Sequence, residues 1–291
     1  MFAIDKQDPT KLTMVGQPVS IPGEFSNTVA ASSKHKVVCV ATTGATAGIS
    51  CAPFSAQGVG SMDTLRPIGL NQTTPPVGPT NTVSQVFFSN DQSTLFTTVK
   101  GDPASNKTGF LGSFPVQSAG GCSTASVSQQ GFTSSPEGTA VLFGSSTIPN
   151  SNDLFVTDAS FGGAVLSVDP ATGVASVKGK ATIGGQKATC WVAVSSVSKT
   201  AFVTDVGVNH LVEMSLADAS IQSTTDLSSN GDPGLIDLKA AGNFIYALSP
   251  GNGTTSPTVT VVDATTKKQV QHFELQGLGV SRNAQGMAVL L

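Results

Sequence analysis

Four side chains have the chemistry to move a proton beside a held anion: Glu137, His210, Lys187 and Arg282. A carboxyl or imidazole carries the proton, and cations hold a carboxylate or a developing oxyanion. Arginine grips a carboxylate with two parallel bonds, which lysine does not, and the chain has only Arg66 and Arg282. Charged residues are 11% of the chain, so those that fall in loops stand out as candidates. Glu24, Asn27, Asn81, Asp232 and Asn283 are further polar candidates for binding, with Lys100, Asp102, Asp158 and Asp205 beside them.

Other chemistries find less support. His35, His210 and His272 are far apart on different predicted strand types, so no zinc cluster forms and no metal ligands are assigned. The glycine-rich pieces GGAVLS and GATAGIS lack the following helix of a phosphate loop and read as turns. No GxSxG elbow occurs. No organic cofactor is indicated. A Ca or Mg ion in a central channel, held by converging carbonyls with Asp or Asn, is the one inorganic partner left open.

The elements that must position these groups are strands. Residues 188–227, ATCWVAVSSVSKTAFVTDVGVNHLVEMSLADASIQSTTDL, read as four in succession: Cys190–Ser195, Ala201–Thr204, Leu211–Leu216 and Ile221–Leu227. Short apolar runs bounded by turn residues are buried strands, and the polar alternating last one is an exposed edge. That is the pattern of a β-propeller blade. Abundant β-branched residues and the lack of an amphipathic helical stretch agree with an all-β fold.

The unit recurs. Second strands centre on Val38, Phe96, Phe155, Phe202 and Tyr246. Third strands are Gly48–Phe54, Gly109–Val116, Ala164–Val168, Leu211–Leu216 and Thr258–Val262. Asp5, Asp169 and Asp263 follow third strands and read as turn formers. Phe2–Asp5 and Leu12–Val19 match the third and fourth strands of a blade, and Gln285–Leu291 is an apolar strand of first-strand type. The expectation is a single propeller domain over 1–291, an N-terminal part missing or processed. Seven four-stranded antiparallel blades, of which this chain covers about five and a half, would close by N- and C-terminal strands sharing a blade. A six-bladed ring joining the two ends is the alternative.

In that frame Glu24, Asn27, Asn81, Glu137, Lys187, Asp232, Arg282 and Asn283 fall in blade-to-blade loops, and His210 in a second-to-third loop. Arg66 falls on an outer strand, pointing away, while His35 is at the surface and His272 packs or meets solvent.

Cys39 and Cys51 lie on consecutive strands across a Gly-rich turn, which suits a cross-strand disulfide. Cys190 reads as a small core thiol; Cys122, in a GGC loop, is either unpaired or bonded to Cys190. Sequons at Asn71, Asn106 and Asn252 all fall in predicted loops, where N-linked glycans need to sit. Together these favour a secreted protein, extracellular or in a cell wall. A net charge of -3 without a basic patch argues against nucleic acid, and no run is long enough for a membrane-spanning helix.

The segments CWVAVSS, TAFVTDVG and HLVEMSLAD, with Met1–Leu12 and TAVLFG at Thr139–Gly144, resemble the lactonase-type propellers. These include 6-phosphogluconolactonase-like proteins and, nearest in look, secreted fungal 3-carboxymuconate cyclase-like glycoproteins. The resemblance covers the whole chain and implies the propeller fold. It also implies two functions: a non-catalytic wall or surface protein whose loop face binds a carbohydrate or protein, or a lactone hydrolase or carboxymuconate cycloisomerase. In the second, Glu137 and His210 are acid and base, and Lys187 and Arg282 the cations. A cyclase acting on a tricarboxylate would be expected to show more arginine around the channel than this chain has.

Overall fold

The computed structural model describes residues 1–117 and 125–290. It forms two compact units, one of residues 1–100 and 111–133 and the other of 101–110 and 134–291. Cys122 lies outside the described residues, so its pairing does too.

The first unit begins with a hairpin of β1 (Phe2–Ile4) and β2 (Leu12–Met14), Phe2 opposite Met14. Its next sheet runs in the order β3 (Ser26–Ser32), β4 (Val37–Thr42), β5 (Gly48–Ser55) and β6 (Gly58–Val59), with β7 (Arg66–Pro67) also on β5. The third runs β8 (Thr82–Phe88), β9 (Thr94–Lys100), β10 (Phe110–Gln117) and β11 (Ser126–Val127), with β12 (Phe132–Ser134) also on β10.

The second unit holds three four-stranded antiparallel meanders. These are β13 (Leu142–Thr147) to β14 (Leu154–Asp158), β15 (Gly162–Val168) and β16 (Ala175–Thr182); β17 (Thr189–Ser195) to β18 (Thr200–Asp205), β19 (Val208–Ser215) and β20 (Ile221–Asp226); and β21 (Asp237–Ala241) to β22 (Phe244–Ser249), β23 (Thr258–Asp263) and β24 (Gln269–Glu274). Among the described residues, five larger sheets and one hairpin thus stand where the sequence places five full repeats and half a repeat. In chain order the larger sheets are blades 1 to 5.

Burial follows the sequence pattern. Every residue of β18 is buried, whereas β20 alternates between exposed and half-buried positions. Middle strands are covered on both faces and read as continuous apolar runs; the outer strand keeps one face in water. Between blades 3 and 4, Phe155, Val165, Val192, Val203 and Met214 share one core. Between blades 4 and 5, Phe202, Leu211, Leu238, Ile245 and Val262 share the next. Full burial of each such side chain stabilises by roughly 1.5–3 kcal/mol. The glycine ending TAVLFG, Gly144, has a packing reason: a Cβ there would fall 2.7 Å from the Cys190 carbonyl oxygen.

Polar ties cross the same boundaries. The Thr157 hydroxyl donates to the Cys190 carbonyl, and the Cys190 thiol donates to the Ile236 carbonyl at 3.2 Å. Lys267 reaches from blade 5 to the Glu213 carboxylate of blade 4, its ammonium 4.8 Å from the Phe202 ring centroid. Turn aspartates behave as their positions suggest: Asp5, Asp169 and Asp263 each accept two backbone N–H groups from the residues just after them.

Cys39 and Cys51 are register partners on β4 and β5 and form a disulfide with a Cα–Cα distance of 4.0 Å. Three expectations are corrected. Arg66 does not point away: it is 1% exposed. It pairs with Asp63 at 2.6 Å and donates to the Val127 and Ser128 carbonyls at 2.6 and 2.7 Å. A buried guanidinium is tolerated only with its donors so occupied. His210 lies on β19 rather than in a loop, because the preceding turn is only Val206 and Gly207. Residues 285–290 form no ladder. They run over Tyr246, Leu248, Val259 and Phe273, leaving a cleft of about 450 Å³. The Met287 N–H goes to the buried Asp237 carboxylate instead of a neighbouring strand.

Candidate functional site

The loop end of blade 4 is built on one carboxylate. Asp205, 1% exposed at the end of β18, accepts the Lys187 and Ala188 N–H groups at 2.8 and 3.1 Å and the Gly207 N–H at 2.8 Å. It thereby fixes the segment entering β17 against the β18–β19 turn. Asp158 does the same in blade 3, accepting the Ala140 and Val141 N–H groups at 2.7 and 3.1 Å and that of Ser160 at 2.9 Å. Buried carboxylates need such donors, and these two are occupied by the fold.

Two of the candidates, the cation Lys187 and the proton carrier His210, flank Asp205. The stem of Lys187 packs over the turn, since a Cβ on Gly207 would fall 3.0 Å from the Lys187 Cβ. Its ammonium makes no hydrogen bond or ion pair among the described residues, and the side chain is exposed. His210, half-buried, sits opposite Asp226 in the β19–β20 register. Burial pushes its pKa down, partly offset by the Asp205 and Asp226 charges. A neutral imidazole is a proton acceptor at neutral pH.

The other candidates lie elsewhere. Glu137 is exposed in the segment before β13, beside Gly138, whose carbonyl accepts the Lys180 ammonium at 3.0 Å. Arg282 is exposed, with Nη1 3.6 Å from where a Cβ on Gly253 would sit, in the β22–β23 loop. No hydrogen bond or ion pair joins any two of Glu137, Lys187, His210 and Arg282 among the described residues.

The binding candidates are mostly committed to structure. Asp232 is buried and accepts the Thr258 hydroxyl at 2.8 Å, with His272 Nε2 at 3.2 Å. This carboxylate–imidazole pair spans 40 residues, and no local pattern in the sequence signals it. Asn27 donates to the Val83 carbonyl at 2.6 Å and accepts the Thr43 hydroxyl at 3.0 Å, tying blade 1 to blade 2. Asn81, at a φ of 54°, donates to the Leu70 carbonyl at 3.0 Å. Glu24 is exposed and accepts the Thr46 and Thr74 hydroxyls. Asn283 is exposed, its side chain without a partner among the described residues.

Asn71, Asn106 and Asn252 are exposed in loops, as glycan attachment requires. Among the described residues no three His, Cys, Asp or Glu side chains converge as a metal site, and no helix is long and apolar enough to cross a membrane.

No protein-family model matches the chain, and no curated protein matches it in sequence. Solved structures do match it in shape. The periplasmic gluconolactonase of Pseudomonas aeruginosa is 14% identical with a TM-score of 0.63, over 94% of this chain and 78% of that one. A Bacteroides uniformis protein assigned as a 6-phosphogluconolactonase is 14% identical with a TM-score of 0.62, over 85% and 71%. A chain of the nidogen/laminin complex is 12% identical with a TM-score of 0.55, over 95% and 89%. At such identities the likeness concerns the fold alone. The chain has the β-propeller fold, built of four-stranded antiparallel blades like those of lactonase-type structures.

Proposed function

We propose that this protein is a secreted fungal β-propeller glycoprotein of the wall or cell surface that binds a carbohydrate or protein partner through its loop face without catalysis. One observation carries the reading: the loop carboxylates are spent on structure while the remaining charged candidates stand apart. Asp158 and Asp205 hold backbone N–H groups, and Asp232 holds threonine and histidine. Glu137, Lys187 and Arg282 are exposed on different loops without partners among the described residues. Catalysis of ring opening or closure needs acid, base and oxyanion donors focused on one atom; exposed, separated polar groups suit a wet binding surface. The Cys39–Cys51 disulfide and the exposed sequons support an oxidising, glycosylating route.

The test pairs two assays on the full chain. Binding to immobilised wall polysaccharides (β-glucan, chitin, mannan) and capture of cell-surface proteins should succeed and weaken in a Glu137→Ala/Arg282→Ala variant. Aldonolactones and carboxymuconate should not turn over. Turnover that disappears in His210→Asn overturns the reading.

That outcome would establish a second reading, a lactone hydrolase or carboxymuconate cycloisomerase. It is favoured by the half-buried, neutral-leaning His210 on the same blade end as Lys187, and by the names of the two lactonase-type structures. His210 would take the proton, Glu137 return it, and Lys187 and Arg282 hold the anion.

A further inference from the structure

The chain has two Asn-Gly pairs, Asn230-Gly231 and Asn252-Gly253, and the fold treats them oppositely. We propose that Asn252 deamidates in the folded protein, assisted by its own loop, while Asn230 is held inert.

An Asn side chain followed by glycine is open to attack by the next backbone nitrogen, because no Cβ hinders the approach. The Gly253 nitrogen gives up its proton to solvent base and bonds to the Asn252 side-chain carbonyl carbon, placing negative charge on Oδ1. Nδ2 takes a proton from solvent, the C–Nδ2 bond breaks, ammonia leaves, and a five-membered succinimide remains. Water opens it at either carbonyl to give aspartate or isoaspartate; the net exchange is water in and ammonia out, with no redox change.

Around Asn252 the hydrogen bonds favour the ring-closing step. Oδ1, where the charge develops, accepts the Thr254 and Thr255 N–H groups, both at 2.9 Å. It also accepts the Thr254 and Thr255 hydroxyls at 2.7 and 3.1 Å. Four donors converging on an incipient oxyanion stabilise it as an oxyanion hole does. The departing Nδ2 and the attacking Gly253 N–H have no partner among the described residues, and Asn252 is exposed to water.

Around Asn230 each group is engaged. Its Nδ2 donates to Thr260 Oγ1 at 3.1 Å and Gln269 Oε1 at 2.9 Å. Its Oδ1 accepts Asn209 Nδ2 at 2.7 Å and the Asp232 N–H at 3.1 Å. The Gly231 N–H that would attack donates instead to the Ser228 carbonyl at 3.2 Å. Closing the ring there breaks the junction between blades 4 and 5. At Asn252 the product is a carboxylate one residue before Gly253, where an added Cβ would lie 3.6 Å from Arg282 Nη1.

A glycan on Asn252 Nδ2 would occupy the leaving group, so the test uses the full chain made without glycans. It is incubated folded at mildly alkaline pH, then peptide-mapped with isoaspartyl methyltransferase labelling. Modification should accumulate at Asn252 and be slower at Asn230 by on the order of tenfold or more. In urea the two sites should react alike. Thr255→Val, which keeps the N–H but removes the hydroxyl, should slow Asn252 severalfold. An unmodified Asn252, equal rates at both sites in the folded chain, or an unchanged rate in Thr255→Val overturns the proposal.

Discussion

Glu213 and Lys267 are a pair whose value depends on both being present. Burial pushes the Glu213 carboxyl up, but hydrogen bonds from Lys267, Ser223 and Thr200 outweigh it and hold the group below the ordinary carboxylate range. A carboxyl depressed in the folded state contributes stability above its unfolded pKa and loses it as pH falls through the folded one. Lys267→Met strands a buried carboxylate and should destabilise by about 3 kcal/mol at neutral pH, read from urea unfolding. The deficit should shrink on acidification, as Glu213 takes a proton in both proteins; a deficit independent of pH would contradict the pairing. His210 runs the other way in charge. Its folded pKa is lowered, so the unfolded chain binds its proton more readily, and stability falls as pH drops through the unfolded value near 6.5. Asp226→Asn removes a charge that opposes the shift, and the His210 midpoint in an NMR titration should move lower still.

At the scale of elements, the aspartate closing a second strand is a clamp rather than a reagent. Asp205→Ala leaves the Lys187 and Ala188 N–H groups without their acceptor. Such a loss costs about 2–3 kcal/mol, whereas Asp205→Asn keeps one acceptor oxygen and should cost less. Thermal melts of the two variants check the order, and equal losses would mean that charge rather than geometry holds the segment. The same residues mark what the sequence makes legible. Strands such as β14 and β18 were readable because burial on both faces demands continuous apolar residues, and Asp169 or Asp263 because a turn is local. The purpose of Asp158 and Asp205 was not, since each accepts backbone N–H groups 17 and 18 residues upstream, on a segment that only folding brings near. His210 was misplaced by a two-residue turn, and residues 285–290 carry strand-like apolar residues but give a key N–H to a side chain. For the candidate site, residue types were visible, but convergence depends on side-chain direction, which composition and spacing do not encode.

For the molecule as a whole, the disulfide and the buried arginine concern the first unit. Cys39 and Cys51 are 12 residues apart. Closing so short a loop stabilises by about 2–3 kcal/mol through the unfolded chain. The Cys39→Ala/Cys51→Ala variant should lose about that much under non-reducing conditions. Hydrogen exchange should quicken in residues 26–67 with little change in 189–263, while uniform quickening would show the staple acting on the whole chain. Arg66 adds a matter of timing. Its Asp63 partner lies three residues away, but its Val127 and Ser128 carbonyl acceptors lie 61 and 62 residues downstream. A chain emerging from the ribosome is made from its N-terminus, so the first large sheet can be synthesised in full while this guanidinium still lacks its last acceptors. Until Ser128 arrives, the arginine remains hydrated or the sheet remains open around it. Over that interval Cys39 and Cys51, on β4 and β5 of the same sheet, are already synthesised while the Val127 and Ser128 carbonyls that accept from the arginine are not.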